Sequence, residues 1–203
     1  KFRYFKMSKS LFIVNVYFLN PFIFVLIKKN TMKKLILIAL FLFSIANYAQ
    51  NTAIPDPNYE KVLIKLGIDS GPINGEVATS SIKNLTILSI PPNYFGDSNA
   101  ITDLTGIEGF TSLTKLYCDY QKLTRLNLTA NTNLTQLVCN DNLLTNLDIT
   151  KNTKLTDLSC FTNKITALDL SKNTLLRNLN LDDNLISIID ISNNTLLESF
   201  FVR

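Results

Sequence analysis

From Leu113 onward the chain superposes on itself every 21 residues. Leu113, Leu134, Leu155, Leu176 and Leu197 form one column, and Leu116, Leu137, Leu158, Leu179 and Phe200 the next. Cys118, Cys139, Cys160, Leu181 and Val202 share a third slot. Further along come Leu123, Leu144, Ile165 and Ile186, then Leu126, Leu147, Leu168 and Ile189, then Leu128, Ile149, Leu170 and Ile191. Six apolar columns stay in register without an insertion, so the fold must repeat in space as the sequence repeats along the chain. A unit of 21 residues cannot bury an apolar face alone; stacked copies bury it against one another.

Within one unit the rule is L-x-x-L-x-C/L-x-x-N-x-L/I. The alternation L-x-C predicts a short strand with one face turned inward. Copies of that strand make a continuous parallel sheet. Asn142, Asn163 and Asn184 follow successive strands, with Gln121 in the first copy; Asn131, Asn152, Asn173 and Asn194 close the other half of each unit. Side-chain amides at such positions can satisfy buried backbone groups where the chain turns, and Asn tolerates left-handed angles. No Gly follows Gly109 and no Pro follows Pro92, so Asn, Asp, Ser and Thr are expected to make the turns.

This pattern resembles the leucine-rich-repeat family, whose signature is L-x-x-L-x-L-x-x-N/C-x-L. The 21-residue unit and the lead-in ITDLTGIEGFTSLTKL (101–116) look like the internalin-type bacterial branch. In texture the chain also resembles secreted leucine-rich-repeat proteins of Bacteroidota, which pair an opening like AIPDPNYEKVLIKLGID (53–69) with coils of this kind. The resemblance covers residues 53–203. It implies a β-rich α/β-type solenoid, with short parallel strands stacked in a curved right-handed coil behind a small N-terminal helical cap. It also implies further coils and a C-terminal sorting domain in a longer parent, because the last unit halts mid-coil at LESFFVR with no polar cap.

The expected organisation has four parts. Residues 1–31 are a leader of uncertain standing, either a membrane segment or sequence upstream of a true start at Met32; the complete leader beginning there favours the second. Residues 32–49 read as a secretory signal peptide: Lys33 and Lys34, then an apolar run from Leu35 to Ile45, then Ala49 before the cut. Residues 50–112 hold the cap and degenerate first coils, with SIKNLTILSI (81–90) as one coil and 91–100 as an insertion loop. Residues 113–203 are the repeats. The cap helix is predicted over 57–66, with Asp56 as N-cap, Pro57 at N1 and Gly67 beyond its end. Tyr59, Val62, Leu63 and Leu66 would plug the first coil. Eight of the 20 Lys and Arg lie in residues 1–49, which hold no acid, so the remainder sets 12 bases against 16 acids. A nucleic-acid partner is therefore not expected.

Three readings compete for Cys118, Cys139 and Cys160. A metal site wants convergent ligands, whereas these are 21 apart, parallel and without any His. A disulfide between neighbouring coils fits poorly with parallel side chains and an odd count. Leu181 and Val202 in the same slot favour a third reading, thiols as small buried hydrophobes. Asp148, Asp169 and Asp190 form an acidic column, with Lys151 and Lys172 as expected partners on a solvated surface. With no His, Ser/His and Cys/His nucleophile systems are excluded; no metal, cofactor or catalytic residue is expected.

The outward positions of the strands vary while the core columns do not. They run Lys115, Gln136, Asp157, Asn178, Ser199; then Tyr117, Val138, Ser159, Asn180, Phe201; then Asp119, Asn140, Phe161, Asp182, Arg203. The candidate binding surface comprises Lys115, Tyr117, Asp119, Gln136, Val138, Asn140, Asp157, Ser159, Phe161, Asn178, Asn180 and Asp182, on the concave side of the solenoid, with Tyr117 and Phe161 as aromatic anchors. The expected protein is a secreted or cell-surface, non-enzymatic module binding a protein, or else a glycan, with membrane contact only through the leader or a missing C-terminal segment. The alternative is a structural spacer or accessory domain of a larger surface protein or enzyme.

Overall fold

The computed structural model describes residues 50–93 and 98–203; the readings of residues 1–31 and of the signal peptide lie outside them. The N-terminal cap starts with β1 (Asn51–Ala53), which pairs antiparallel with β2 (Glu76–Ala78), Thr52 facing Val77. Neither strand was visible in the sequence pattern. Between them lies α1 (Pro57–Lys65). Its start is set locally: Asp56 accepts from the amides of Asn58 at 2.9 Å and Tyr59 at 3.2 Å, and Pro57 needs no partner in the first turn. It ends at Leu66, ahead of Gly67 at φ 70°.

The buried face of α1 corrects the expected one. Tyr59 and Leu63 are fully buried and Val62 partly so, but Leu66 is 43% exposed. Glu60 takes part in its place. Its carboxyl group is fully buried, and its two oxygens are satisfied by the amides of Asn74 (2.7 Å) and Gly75 (2.8 Å). The second oxygen of Asp56 bolts the helix to the first coil. It accepts from the amide and hydroxyl of Thr102 (2.8 and 2.9 Å) and the amide of Asp103 (3.1 Å). Gly106, at φ 104°, lets the coil approach the cap; a Cβ there would sit 2.4 Å from the Ala53 carbonyl oxygen.

After a short helix α2 (Thr79–Ile82) comes β3 (Ile87–Ser89), the first strand of a six-stranded parallel sheet. The others are β4 (Lys115–Tyr117), β5 (Gln136–Val138), β6 (Asp157–Ser159), β7 (Asn178–Asn180) and β8 (Ser199–Phe201), stacked in sequence order. The register follows the repeat: Leu116 pairs with Leu137, Leu137 with Leu158, Leu158 with Leu179, and Leu179 with Phe200. The central residue of each strand from β4 to β7 points inward and is buried. Each such leucine contributes on the order of 2 kcal/mol of burial. The spine runs unbroken from Ile54 to Leu181, and Ile186, Ile189, Ile191, Leu197 and Phe200 pack against it partly buried.

Two columns of asparagine hold the coils together. Asn163 donates to the carbonyls of Cys139 (3.0 Å), Cys160 (3.1 Å) and Phe161 (3.3 Å), and its oxygen accepts from the Leu144 amide (3.0 Å). Asn142 and Asn184 repeat this pattern, and Gln121 stands in for them in the first coil. On the other side Asn152 donates to the carbonyls of Leu128 (3.0 Å) and Asn131 (2.9 Å), and Asn173 and Asn194 do the same one and two coils later. The left-handed residues are not these asparagines. They are Tyr120, Asp141, Thr162 and Asp183, at φ 51–55°, one per coil and each just before or beside the ladder position. Tyr120 and β-branched Thr162 are held there against their preference, since the coil stacking over-determines the turn.

Candidate functional site

The alternate residues of the strands face outward from the spine. Between β5 and β8 they enclose a shallow groove of about 270 Å³, lined by Gln136, Val138, Asp157, Ser159, Asn180 and Phe201 among others. Asn178 and Ser199 complete its walls. Side-chain bonds fix much of this surface. Asn178 donates to one oxygen of Asp157 and the Thr156 hydroxyl to the other, both at 2.6 Å. Tyr117 donates its hydroxyl to Gln136 Oε1 at 2.9 Å. Asn140 is 7% exposed; its oxygen accepts from the Ser159 hydroxyl (2.8 Å) and the Phe161 amide (3.0 Å).

One edge of this face carries half-buried carboxylates. Asp119 accepts from the Asn140 amide at 2.9 Å, yet burial pushes its carboxyl above the usual range and the charge of Asp141 adds to the rise. Burial likewise raises Asp141; a bond from the Tyr120 side chain opposes this and the charge of Asp183 reinforces it. Arg203 reaches Asp182 Oδ2 at 3.3 Å.

Behind the sheet, Cys118, Cys139 and Cys160 are free thiols, fully buried. The Cys118 sulfur contacts the Val138 carbonyl at 3.6 Å, and burial pushes its thiol far up. Cys139 is raised too, by its hydrogen bond with Cys160 and by burial. Thiols so placed are poor nucleophiles and poor metal ligands, because both roles need the thiolate. Leu181 fills the same slot, also fully buried.

No protein-family model matches the chain, and no curated protein matches it by sequence. Solved structures do. The functional domain of InlJ from Listeria monocytogenes, described as including a cysteine ladder, superposes with a TM-score of 0.64 at 40% identity, over 73% of this chain and 32% of that one. The internalin InlF of the same organism gives 0.59 at 19% identity, over 77% and 54%. A leucine-rich-repeat protein of Leptospira interrogans gives 0.50 at 22%, over 61% and 32%. The chain is an internalin-like leucine-rich-repeat protein. It spans about a third of the InlJ structure and about half of InlF.

Within this internalin-like solenoid the predicted surface residues divide into three groups. Gln136, Val138, Asp157, Ser159, Asn178 and Asn180 line the groove. Lys115 and Tyr117, on β4, stand beside it. Asp119, Asn140, Phe161 and Asp182 lie just past the strand ends, on the rim. Ser199 and Phe201 also line the groove, and Phe201 is 50% exposed. Asp141 and Asp183 were not singled out as rim residues; the only signal was their shared place in the 21-residue register.

The acidic column behind the coils is corrected in its partners. Asp148 accepts from the Thr150 amide and hydroxyl (2.9 and 2.7 Å), Asp169 from Ser171 and Asp190 from Ser192. These local bonds, more than Lys151 or Lys172, hold Asp148 and Asp169 below the usual carboxylate range. The column is turn chemistry repeated per coil. Asp103, Asn127 and Asp148 line a second depression of about 350 Å³ together with Glu108 and Arg125, and Arg125 is paired with Asp103 at 2.7 Å.

Proposed function

We propose that this internalin-like protein is a secreted or cell-surface, non-catalytic module that binds a protein partner through the outer face of its sheet, the concave side expected of such a solenoid. The observation that supports this most is the contrast between columns. Leu116, Leu137, Leu158 and Leu179 are interchangeable and buried. Their outward neighbours in the same register change from Lys to Gln to Asp to Asn and from Tyr to Val to Ser to Asn. A fixed scaffold that varies only its outer residues suits recognition. The lack of histidine and the raised thiols support a non-catalytic reading.

The test uses the full chain with a photoreactive residue in place of Val138, on the face, or of Lys164, exposed away from it. Extracellular protein should give a discrete adduct from position 138 and none from 164, and Ser159→Arg should abolish it. Equal labelling from both positions, or none, would refute the proposal. A spacer or accessory role in a larger surface protein or enzyme is the second reading; a spacer should bind no partner at all. A glycan ligand would show as binding that survives removal of protein from the fraction.

A further inference from the structure

The outer sheet face and its rim carry more negative charge than their own residues neutralise. Asp119, Asp157 and Asp182 lie in the outward columns, and Asp141 and Asp183 flank them in the left-handed column. Against these stand Lys115 and Arg203, and Arg203 already engages Asp182. One oxygen of Asp141 and one of Asp182 are shielded from solvent and meet no donor; the Asp182 side chain is only 16% exposed. These shielded oxygens place uncompensated negative charge just behind the face, and a cationic partner at the surface would lower its cost through space without touching them. Between the acids the groove offers apolar surface at Val138 and Phe201.

We propose that this face docks an extended basic segment of another protein. Lys or Arg side chains reach Asp119, Asp157 and Asp182, while an apolar side chain between them enters the groove over Val138 and against Phe201. The inference rests on reading this face as the binding surface and adds the partner's charge. A guanidinium suits it well, because its planar fork supplies several donors to one carboxylate. Nucleic acid and anionic lipid are repelled by the same charges, and a neutral glycan gains nothing from them. Four strand spacings of about 4.8 Å separate β4 from β8, so about six extended residues span the face.

The experiment compares two fluorescein-labelled hexapeptides, Arg-Ser-Leu-Lys-Ser-Arg and its counterpart with Glu at each basic position, against the full chain. The central Leu also carries a photoreactive form in a second set. The basic peptide should bind more than about tenfold tighter than the acidic one, and the preference should shrink as salt screens it. Combined Asp119→Asn, Asp157→Asn and Asp182→Asn should cost the basic peptide about tenfold or more. Asn keeps an acceptor for the Asn140 amide, and a thermal midpoint no lower than that of the unsubstituted chain shows that the fold persists. Equal affinity for both peptides, or an undiminished basic affinity in the triple variant, would overturn the inference. If the acidic peptide labels strands β5 to β8, the face binds but the charge assignment fails; if neither peptide labels them, the wider reading fails with it.

Discussion

Asp56 and Glu60 in the cap and Asp119 and Asp141 on the rim are all carboxylates drawn out of water, yet the protein treats them in opposite ways. Burial raises Asp56, but the Thr102 amide and hydroxyl and the amides of Tyr59 and Asp103 outweigh it and leave the group below its ordinary value of 3.8. Asp119 has the Asn140 amide and its own, which together do not offset burial and the neighbouring Asp141, so it ends above 3.8. Acids that stabilise a fold are surrounded by donors from their own chain. Acids left short of donors on an outward face destabilise the free protein and await something else.

The comparison breaks most directly at Asp56. Asp56→Ala should lower the unfolding free energy by about 3 kcal/mol in urea titration, since it strips the N-cap and leaves amides at two junctions without acceptors. A loss below about 1 kcal/mol would mean that the cap does not depend on this latch. The coils between cap and rim should be more forgiving: Cys139→Leu should change stability by less than about 1.5 kcal/mol, because Leu181 already fills that slot. Asp119→Asn should act with the opposite sign, raising stability by about 0.5 kcal/mol at neutral pH once solvent screening is allowed for.

The smallest effect is the most diagnostic. The Asp56 contribution is present above its unfolded value of 3.8 and is lost as pH falls toward its lower folded value. The Asp119 cost is present above its raised folded value and disappears as pH falls through that value toward 3.8. Between neutral and mildly acidic pH, therefore, the gain from Asp119→Asn should fade while the Asp56→Ala loss stays constant. Parallel pH profiles for the two variants would erase the distinction.

The repeat and its core were legible because period 21 aligns apolar residues that touch in space, and the outward columns follow from the same alternation. What escaped the sequence depended on distant partners. Leu66 has the right helical spacing, but Glu60 is buried in the structure because amides 14 and 15 residues away receive it. β1 and β2 are three residues each, with α1 between them, too short to leave a pattern. With turns expected of Asn, Asp, Ser and Thr, the left-handed angle does fall on Asp141, Thr162 and Asp183, whereas Tyr120 lies outside that set and the ladder asparagines keep their side chains for neighbouring coils. The groove was not legible as a shape, although Val138 and Ser159 were named; Phe201 enters it only because β8 stacks in register.

The asparagine ladders also have a direction. Asn163 serves the carbonyl of Cys139 and the amide of Leu144, both in the coil before its own, and Asn152 serves Leu128 and Asn131 in the same backward sense. A ribbon delivered amino end first would thus finish each turn only when its successor arrives, like a ratchet whose every tooth is locked by the next.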